Sequence, residues 1–347
     1  MKHFIILLFA VFACLGISKG EDAERVLIIG NSYTYCNDLP NVLMALSQET
    51  EHPLEVESYT AGAMSLRGFL DDPNHSKAKS LVQSKKYDWI ILQDQSQTPA
   101  YKPEETMDSV KRWTQLAKDS GAKVVLFLTW AHASGKGKKM EPLVDMQERT
   151  STTYCQAGVA NKVKVAPVGE AWARWYRKHP NKVLHVNDGS HPNPEGTYLA
   201  ACVLYSTITG QQVKGIPGTL KLNRRVVMRV PSGSAKELQK TANATTKDFT
   251  AQGYLDKLKI KEGKRPTTAE VKAILKKGMS LSSIKELAGA PIHTSSDSGR
   301  KTYQFRIRGG AELCAYCNSS DTVEQISIAA PGKPVEIIDV TKLKPNE

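Results

Sequence analysis

The sequence predicts an α/β protein, a three-layer sandwich built on a parallel sheet, followed by a small C-terminal α+β module. Three observations support this. Short apolar runs at 26–29, 54–56, 89–92, 124–128 and 163–168 alternate with helical stretches, the pattern of a parallel sheet with helices on both faces. At 347 residues the chain exceeds one domain of ordinary size and can bury a sizeable core. Its charge divides unevenly, with 23 Lys+Arg against 22 Asp+Glu up to Gly210 and 24 against 13 beyond it.

The elements follow in chain order. Residues 1–20 read as a secretory signal peptide, with a charged start at Met1-Lys2-His3 and an apolar stretch over 4–12 that is too short to span a membrane. Val11-Phe12-Ala13-Cys14 resembles a lipoprotein cleavage site, so lipid anchoring through Cys14 is the alternative to release. After the run at 26–29, apolar residues at 39, 42, 43 and 46 predict a helix over 39–48. A strand is expected over 54–57. Pro103 and two glutamates open the helix before the run at 124–128, and 141–155 forms the next. Pro192 and Pro194 fix the turn into a helix over 194–208. The span 215–230 is expected to connect this to a last helix over 234–248, closing a domain of residues 21–250. A basic linker over 251–266 and a module over 267–347 complete the chain. In that module a helix within 278–291 ends at a Gly/Pro stop, and strands fit 301–308 and 323–328 with a third between them at 311–317.

Chemistry concentrates in two short segments. Ser32, in Gly30-Asn31-Ser32-Tyr33-Thr34, lies just past the first strand, where open α/β sheets place their ligands. Asp188 and His191 share the segment Asp188-Gly189-Ser190-His191-Pro192. A serine hydroxyl needs a neighbouring base to take its proton as it attacks. His191 is the candidate base, and Asp188 is close enough to fix its tautomer and stabilise the imidazolium. Taken singly, each segment has a plainer explanation, a serine that turns the chain and an aspartate in an ordinary turn. Their order along the chain, each at an expected strand end, raises the catalytic explanation above these.

These blocks resemble those of the SGNH (GDSL-type) hydrolases over about residues 25–250, and the strings Leu92-Gln93-Asp94-Gln95-Ser96 and Pro167 to Trp172 are closer to a divergent, mostly bacterial subfamily. The resemblance implies an SGNH/flavodoxin-like sandwich and an oxyanion hole built from the Ser32 N–H, a glycine N–H and an asparagine side chain. Gly62 fits the glycine. Where the family has Gly-x-Asn-Asp, this chain reads Gln93-Asp94-Gln95-Ser96-Gln97. Counting from Asp88 puts Gln97 at the asparagine position, as in the Gln-Gly-Glu-Ser-Asn string of related sialate esterases, whereas Gln93 is nearest the strand end. The C-terminal part loosely resembles the SmpA/OmlA lipoprotein module, which implies a binding or stabilising role.

Asn31, Tyr33 and Trp130 are candidates for the substrate pocket, Tyr33 foremost because it adjoins Ser32, although aromatics are more often core. His132 and His185 are expected to be structural or surface residues. The expected activity is that of an exported serine esterase removing acyl groups, acetyl above all, from O-acylated carbohydrate, without metal or organic cofactor. A lipase, a thioesterase, or a non-catalytic envelope or glycan-binding protein on the same scaffold is the alternative. The basic C-terminal half suits contact with a polyanion, yet no stacked-aromatic or helix-turn-helix signal makes nucleic acid a partner, and no later apolar run reaches the roughly 20 residues of a membrane span. Cys14 leaves with the signal, and the five remaining cysteines cannot all pair within one chain. Cys36 with Cys155 is the pairing considered, and Cys314 with Cys317 is either a local disulfide or two inert thiols.

Overall fold

Side chains that alternate along one strand set the layering. In the computed structural model, which describes residues 23–135, 137, 140–263, 265–289, 291–297, 299–330 and 333–343, strand β1 (Glu24–Gly30) sends Val26 and Ile28 into one apolar layer and Leu27 and Ile29 into the other, as the two-residue period of a strand requires. Residues 1–20, expected to form a signal peptide, and with them Cys14, lie outside the described residues. With β2 (Leu54–Thr60), β3 (Trp89–Leu92), β4 (Lys123–Phe127) and β5 (Lys164–Ala166), β1 forms a parallel sheet in the order β2-β1-β3-β4-β5. The order reverses between β1 and β3, and the crevice beyond the carboxyl ends of those strands is where such sheets bind ligands.

The main helices around the sheet are, in chain order, α1 (Leu39–Ser47), α2 (Pro103–Ser120), α3 (Val144–Asn161), α4 (Val168–Lys178), α5 (Pro194–Thr209), α6 (Ser232–Thr246) and α7 (Ala251–Gly263). Helices α1, α4, α5 and α6 cover one face with Leu43, Trp175, Ala200 and Leu238. Helices α2 and α3 cover the other with Trp113 and Tyr154, joined there by Phe69 and Val82 from two short helices. Local signals end these elements as expected. The Asn193 side chain accepts from the Gly196 N–H to cap α5, and Gly210, at a φ of 76°, terminates it.

Three spans differ from expectation. Helix α3 starts at Val144 because Glu141–Pro142 pairs with Ala133–Ser134 as a small antiparallel ribbon. The connecting span 215–230 contains a hairpin, Thr219–Leu222 with Arg225–Arg229, turned by Asn223 and Arg224 at positive φ. The linker expected over 251–266 is largely helix α7, which packs Tyr254 and Leu255 against the second apolar layer; its lysines hid those two anchors. Cys36, Cys155, Cys202, Cys314 and Cys317 are free thiols, so the Cys36–Cys155 pair does not form. Cys314 and Cys317 are three residues apart on one strand and face opposite sides.

Beyond α7, the Thr267–Glu270 capping box starts a helix at Thr268–Ile274, and Leu281–Ala288 is a second helix. An antiparallel sheet follows in sequential order: β6 (His293–Asp297), β7 (Arg300–Arg306), β8 (Glu312–Cys317), β9 (Val323–Ala329) and β10 (Glu336–Asp339). It has its own core around Phe305, Leu313 and Ile326. The three central strands match the sequence expectation; β6 and β10 are edge strands too polar or too short to announce themselves. Among the described residues, no helix is long and apolar enough to cross a membrane.

Charge joins this module to α3. Arg306 pairs with Asp145 and Glu148, Arg265 donates to Glu148 at 2.8 Å, and Arg149 pairs with Glu312. The Arg306, Arg265 and Glu148 side chains are each only 11% exposed. Part of the basic excess beyond Gly210 is therefore consumed in docking. Removing one partner of a buried pair leaves an uncompensated charge and costs about 3–5 kcal/mol. Arg306→Ala is accordingly expected to loosen the module, seen as faster protease cleavage near residues 263–267 with the parallel-sheet domain intact; equal cleavage rates would mean that the ion pairs do not hold the module.

Candidate functional site

The Ser32 turn is assembled around a buried amide. The Gln93 carbonyl accepts from the Asn31 N–H at 2.8 Å and the Thr34 hydroxyl at 2.9 Å, and its NH2 donates to Asn31 Oδ1 at 3.0 Å and to the Asp94 carbonyl. Gly30 is required because any Cβ there would meet the Thr34 and Gln93 oxygens at 2.3 and 2.6 Å. Asn31 is itself buried; it caps the Ser32–Tyr35 turn and donates to the Met64 carbonyl at 2.9 Å. Ser32 is left at the start of a helical turn, and its N–H has no hydrogen-bond partner among the described residues.

The opposing segment is pinned by backbone bonds. The Val186 N–H donates to the His191 carbonyl and the Asn193 N–H to the Leu184 carbonyl. Gly189, at a φ of 69°, lies so close to Ala133 that a Cβ would sit 2.3 Å from its carbonyl oxygen. Asn37 ties the two segments together by donating to the Pro192 carbonyl and Thr197 hydroxyl at 2.8 and 2.9 Å.

This brings Ser32, His191 and Asp188 into line. His191 Nδ1 lies 2.6 Å from Asp188 Oδ2, and Nε2 lies 2.8 Å from Ser32 Oγ. A carboxylate only accepts, so Nδ1 carries the hydrogen and Nε2 is free to accept from the Ser32 hydroxyl. Burial opposes ionisation of Asp188, but bonds from the His191 ring and from the Ser190 and His191 N–H groups outweigh it and hold the carboxyl below its usual range.

Of the oxyanion candidates, Gly62 is exposed after β2 with an N–H that has no partner among the described residues. The two glutamines differ. Gln93 is fully buried and its amide is committed to the Ser32 turn. Gln97 is exposed, with no side-chain hydrogen bond among the described residues. Gln95, not singled out from sequence, uses its carbonyl to accept from Gln97 N and Thr98 N and leaves its NH2 available.

The pocket candidates Tyr33 and Trp130 are both buried. Tyr33 is 2% and Trp130 1% exposed. Their rings stack at 4.5 Å, Trp130 stacks on Trp172 at 4.0 Å, and Tyr33 meets the His191 ring edge-on at 5.8 Å. Tyr33 OH contacts Ser190 Oγ at 2.9 Å, and Trp130 Nε1 donates to the Ser190 carbonyl at 2.9 Å. Adjacency to Ser32 suggested a wall of the pocket, but a helical turn rotates Tyr33 inward.

His132, expected to be merely structural or superficial, completes this network. Its Nε2 lies 3.2 Å from both Ser190 Oγ and Ser96 Oγ, and burial lowers its pKa. The strand-end position of His132 was the one signal available in the sequence. His185 is not a rival base: buried, it meets Tyr176 OH at 2.7 Å and the Ala131 carbonyl at 3.0 Å. Among the described residues no three His, Cys, Asp or Glu side chains are grouped to hold a metal ion.

No protein-family model and no curated protein matches the chain. Solved structures do. A DUF4886 family protein from Bacteroides uniformis is 18% identical, with a TM-score of 0.50, covering 66% of this chain and 97% of its own. A candidate SGNH hydrolase from Slackia heliotrinireducens is 28% identical at a TM-score of 0.47, covering 54% of this chain and 100% of its own. An acetyl-xylooligosaccharide esterase from Geobacillus is 15% identical at a TM-score of 0.43, covering 55% and 97%. The Bacteroides likeness concerns the fold alone, an α/β sandwich on a parallel sheet.

Two predictions follow from the geometry. Gln93→Ala would orphan the Asn31 N–H and Thr34 hydroxyl, at roughly 1–3 kcal/mol for each buried group, so denaturant unfolding should show a loss of stability; an unchanged midpoint would dismiss the clamp. Burial pushes the His185 pKa down from 6.5 to about 4. The unfolded chain then binds this proton more readily, so stability is highest above pH ~6.5 and falls by about 2–3 kcal/mol as pH approaches 4.5. That decline should be shallower in His185→Gln, and identical slopes would contradict the assignment.

Proposed function

We propose that this protein is an exported serine esterase that deacylates O-acylated carbohydrate through Ser32, His191 and Asp188. The observation that carries this reading is the continuous line of hydrogen bonds from the Asp188 carboxylate through His191 to Ser32 Oγ. His191 Nε2 takes the hydroxyl proton as Ser32 Oγ attacks the acyl carbon, and Asp188 stabilises the resulting imidazolium. The developing oxyanion accepts from the N–H groups of Ser32 and Gly62 and from the Gln97 amide. Collapse returns the proton from His191 to the departing sugar alkoxide and leaves an acyl-enzyme. Water, deprotonated by His191, then attacks the acyl carbon, releases the acid and restores Ser32. These steps need no metal or organic cofactor.

The substrate assignment rests on the SGNH resemblance and on exposure. The Asp188 and His191 side chains are 47% and 35% exposed, an open setting that suits a small acyl group on a bulky, solvated alcohol better than a long tail needing burial. In the same reading residues 1–20 direct export, with Cys14 as a lipid attachment point if anchored, and the C-terminal module binds or stabilises, its remaining cations facing polyanions.

The test is hydrolysis of p-nitrophenyl acetate, p-nitrophenyl octanoate and acetylated xylan by the protein and by Ser32→Ala. Acetate turnover should exceed octanoate turnover and fall at least ~10³-fold in the variant. Turnover on none of these that depends on Ser32 would point instead to a non-catalytic binding protein. Within an active enzyme, Gln97→Ala should lower kcat about 10²- to 10³-fold without loss of stability, and a comparable kcat loss confined to Gln95→Ala would move the donor to that residue.

A further inference from the structure

A cavity of about 800 Å³ lies beyond Trp130 as seen from Tyr33 and touches none of Ser32, Asp188 and His191. Its walls come from α3, α4, α7 and residues 244–250, which span the end of α6 and the turn into α7. The volume is that of a small-molecule site, which ordinarily spans about 300–1,000 Å³. The cavity includes the helix that the sequence presented as a linker, so its existence depends on α7 folding against α3.

The lining selects among ligand classes. Inside, the Glu170 carboxylate accepts from Ser151 Oγ at 2.6 Å. A carboxyl group has acceptor positions beyond the one that Ser151 fills, so the site favours an occupant that brings a hydroxyl. An acyl chain would leave that carboxyl group unanswered. An anion would meet Glu141, Glu170 and Asp248, and a cation would meet Arg174, Arg177 and Lys257. The half-buried rings of Phe249 and Tyr254 supply apolar surface between these charges. A neutral polyhydroxyl ring satisfies all three demands, with hydroxyls that both donate and accept and C–H faces that lie on aromatic rings.

We infer that this cavity is a second binding site, for a neutral oligosaccharide segment, separated from the Ser32 site by the Tyr33–Trp130–Trp172 stack. It stands on the lining alone and does not depend on ester hydrolysis. Trp130 and Trp172 border it, so occupancy is expected to change intrinsic tryptophan fluorescence.

The experiment uses full-length protein carrying Ser32→Ala, so that no probe is consumed. Xylotriose, cellotriose and chitotriose are titrated by fluorescence and calorimetry beside trigalacturonate, spermidine and octanoate. Saturable binding of at least one neutral trisaccharide is expected, weakened about tenfold by Glu170→Gln through a lost charge-assisted hydrogen bond and abolished by Ala244→Phe, which fills the cavity from an exposed position. Both variants should keep the parent melting temperature. Binding only by octanoate, trigalacturonate or spermidine would overturn the ligand class. No saturation by any probe, or trisaccharide binding untouched by both substitutions, would overturn the site. Because turnover is not read, failure here leaves the esterase proposal standing, and failure of hydrolysis leaves this one standing.

Discussion

The candidate site depends on one buried side-chain amide. Gln93, at the end of β3, supplies the acceptor for the backbone N–H before Ser32 and the donor for the side chain that caps the turn after it. An amide is suited to this because one end accepts and the other donates. The clamp demands that residue 30 have no Cβ, and the Ser32 N–H beside it has no partner among the described residues. The strand crossing that places β3 beside β1 thus converts an ordinary Gly-x-Ser turn into one with a fixed hydroxyl and a free donor.

The histidine side depends on a different device. Asp188 and His191 are three residues apart and reach each other within one turn, but the imidazole also has to face Ser32. Its orientation comes from the stack of Trp172, Trp130 and Tyr33, which ends edge-on against the ring, and from Ser190, held by Tyr33, Trp130 and His132 together. Core packing and site geometry are therefore the same set of contacts. The stack also divides the Ser32 crevice from the cavity under α7.

Electrostatics operate in two ways along the chain. Near Ser32 a single carboxylate, Asp188, orients His191, and the other polar groups are held by neutral partners. At α3 the polar groups are fully charged and paired across the contact with the C-terminal module. Buried pairs of that kind contribute little net stability compared with apolar packing, but they penalise misplacement heavily. Their effect is to fix where the module sits.

The sequence by itself determined what arises within short stretches. The run at 26–29, the glycine before Asn31-Ser32, the Asp188-x-x-His191 spacing and the proline-led start of α5 all express local periodicity, turn geometry or reach along the chain. The parallel sheet was legible for the same reason, since each strand and its helix carry their own pattern. Tertiary structure decided the rest. Gln93 and Gln97 look equivalent in a string of polar residues, and only partners some 60 positions away make Gln93 a clamp, whereas Gln97 has no side-chain partner among the described residues. Tyr33 and Trp130 read as pocket residues until packing turned them into the core. Helix α7 hid behind its lysines because its apolar contacts, Tyr254 and Leu255, are too few to set a period and gain meaning only against α3. Local backbone preferences are written in neighbouring residues; the choice among polar side chains of equal reach is made by the partners that folding brings to them.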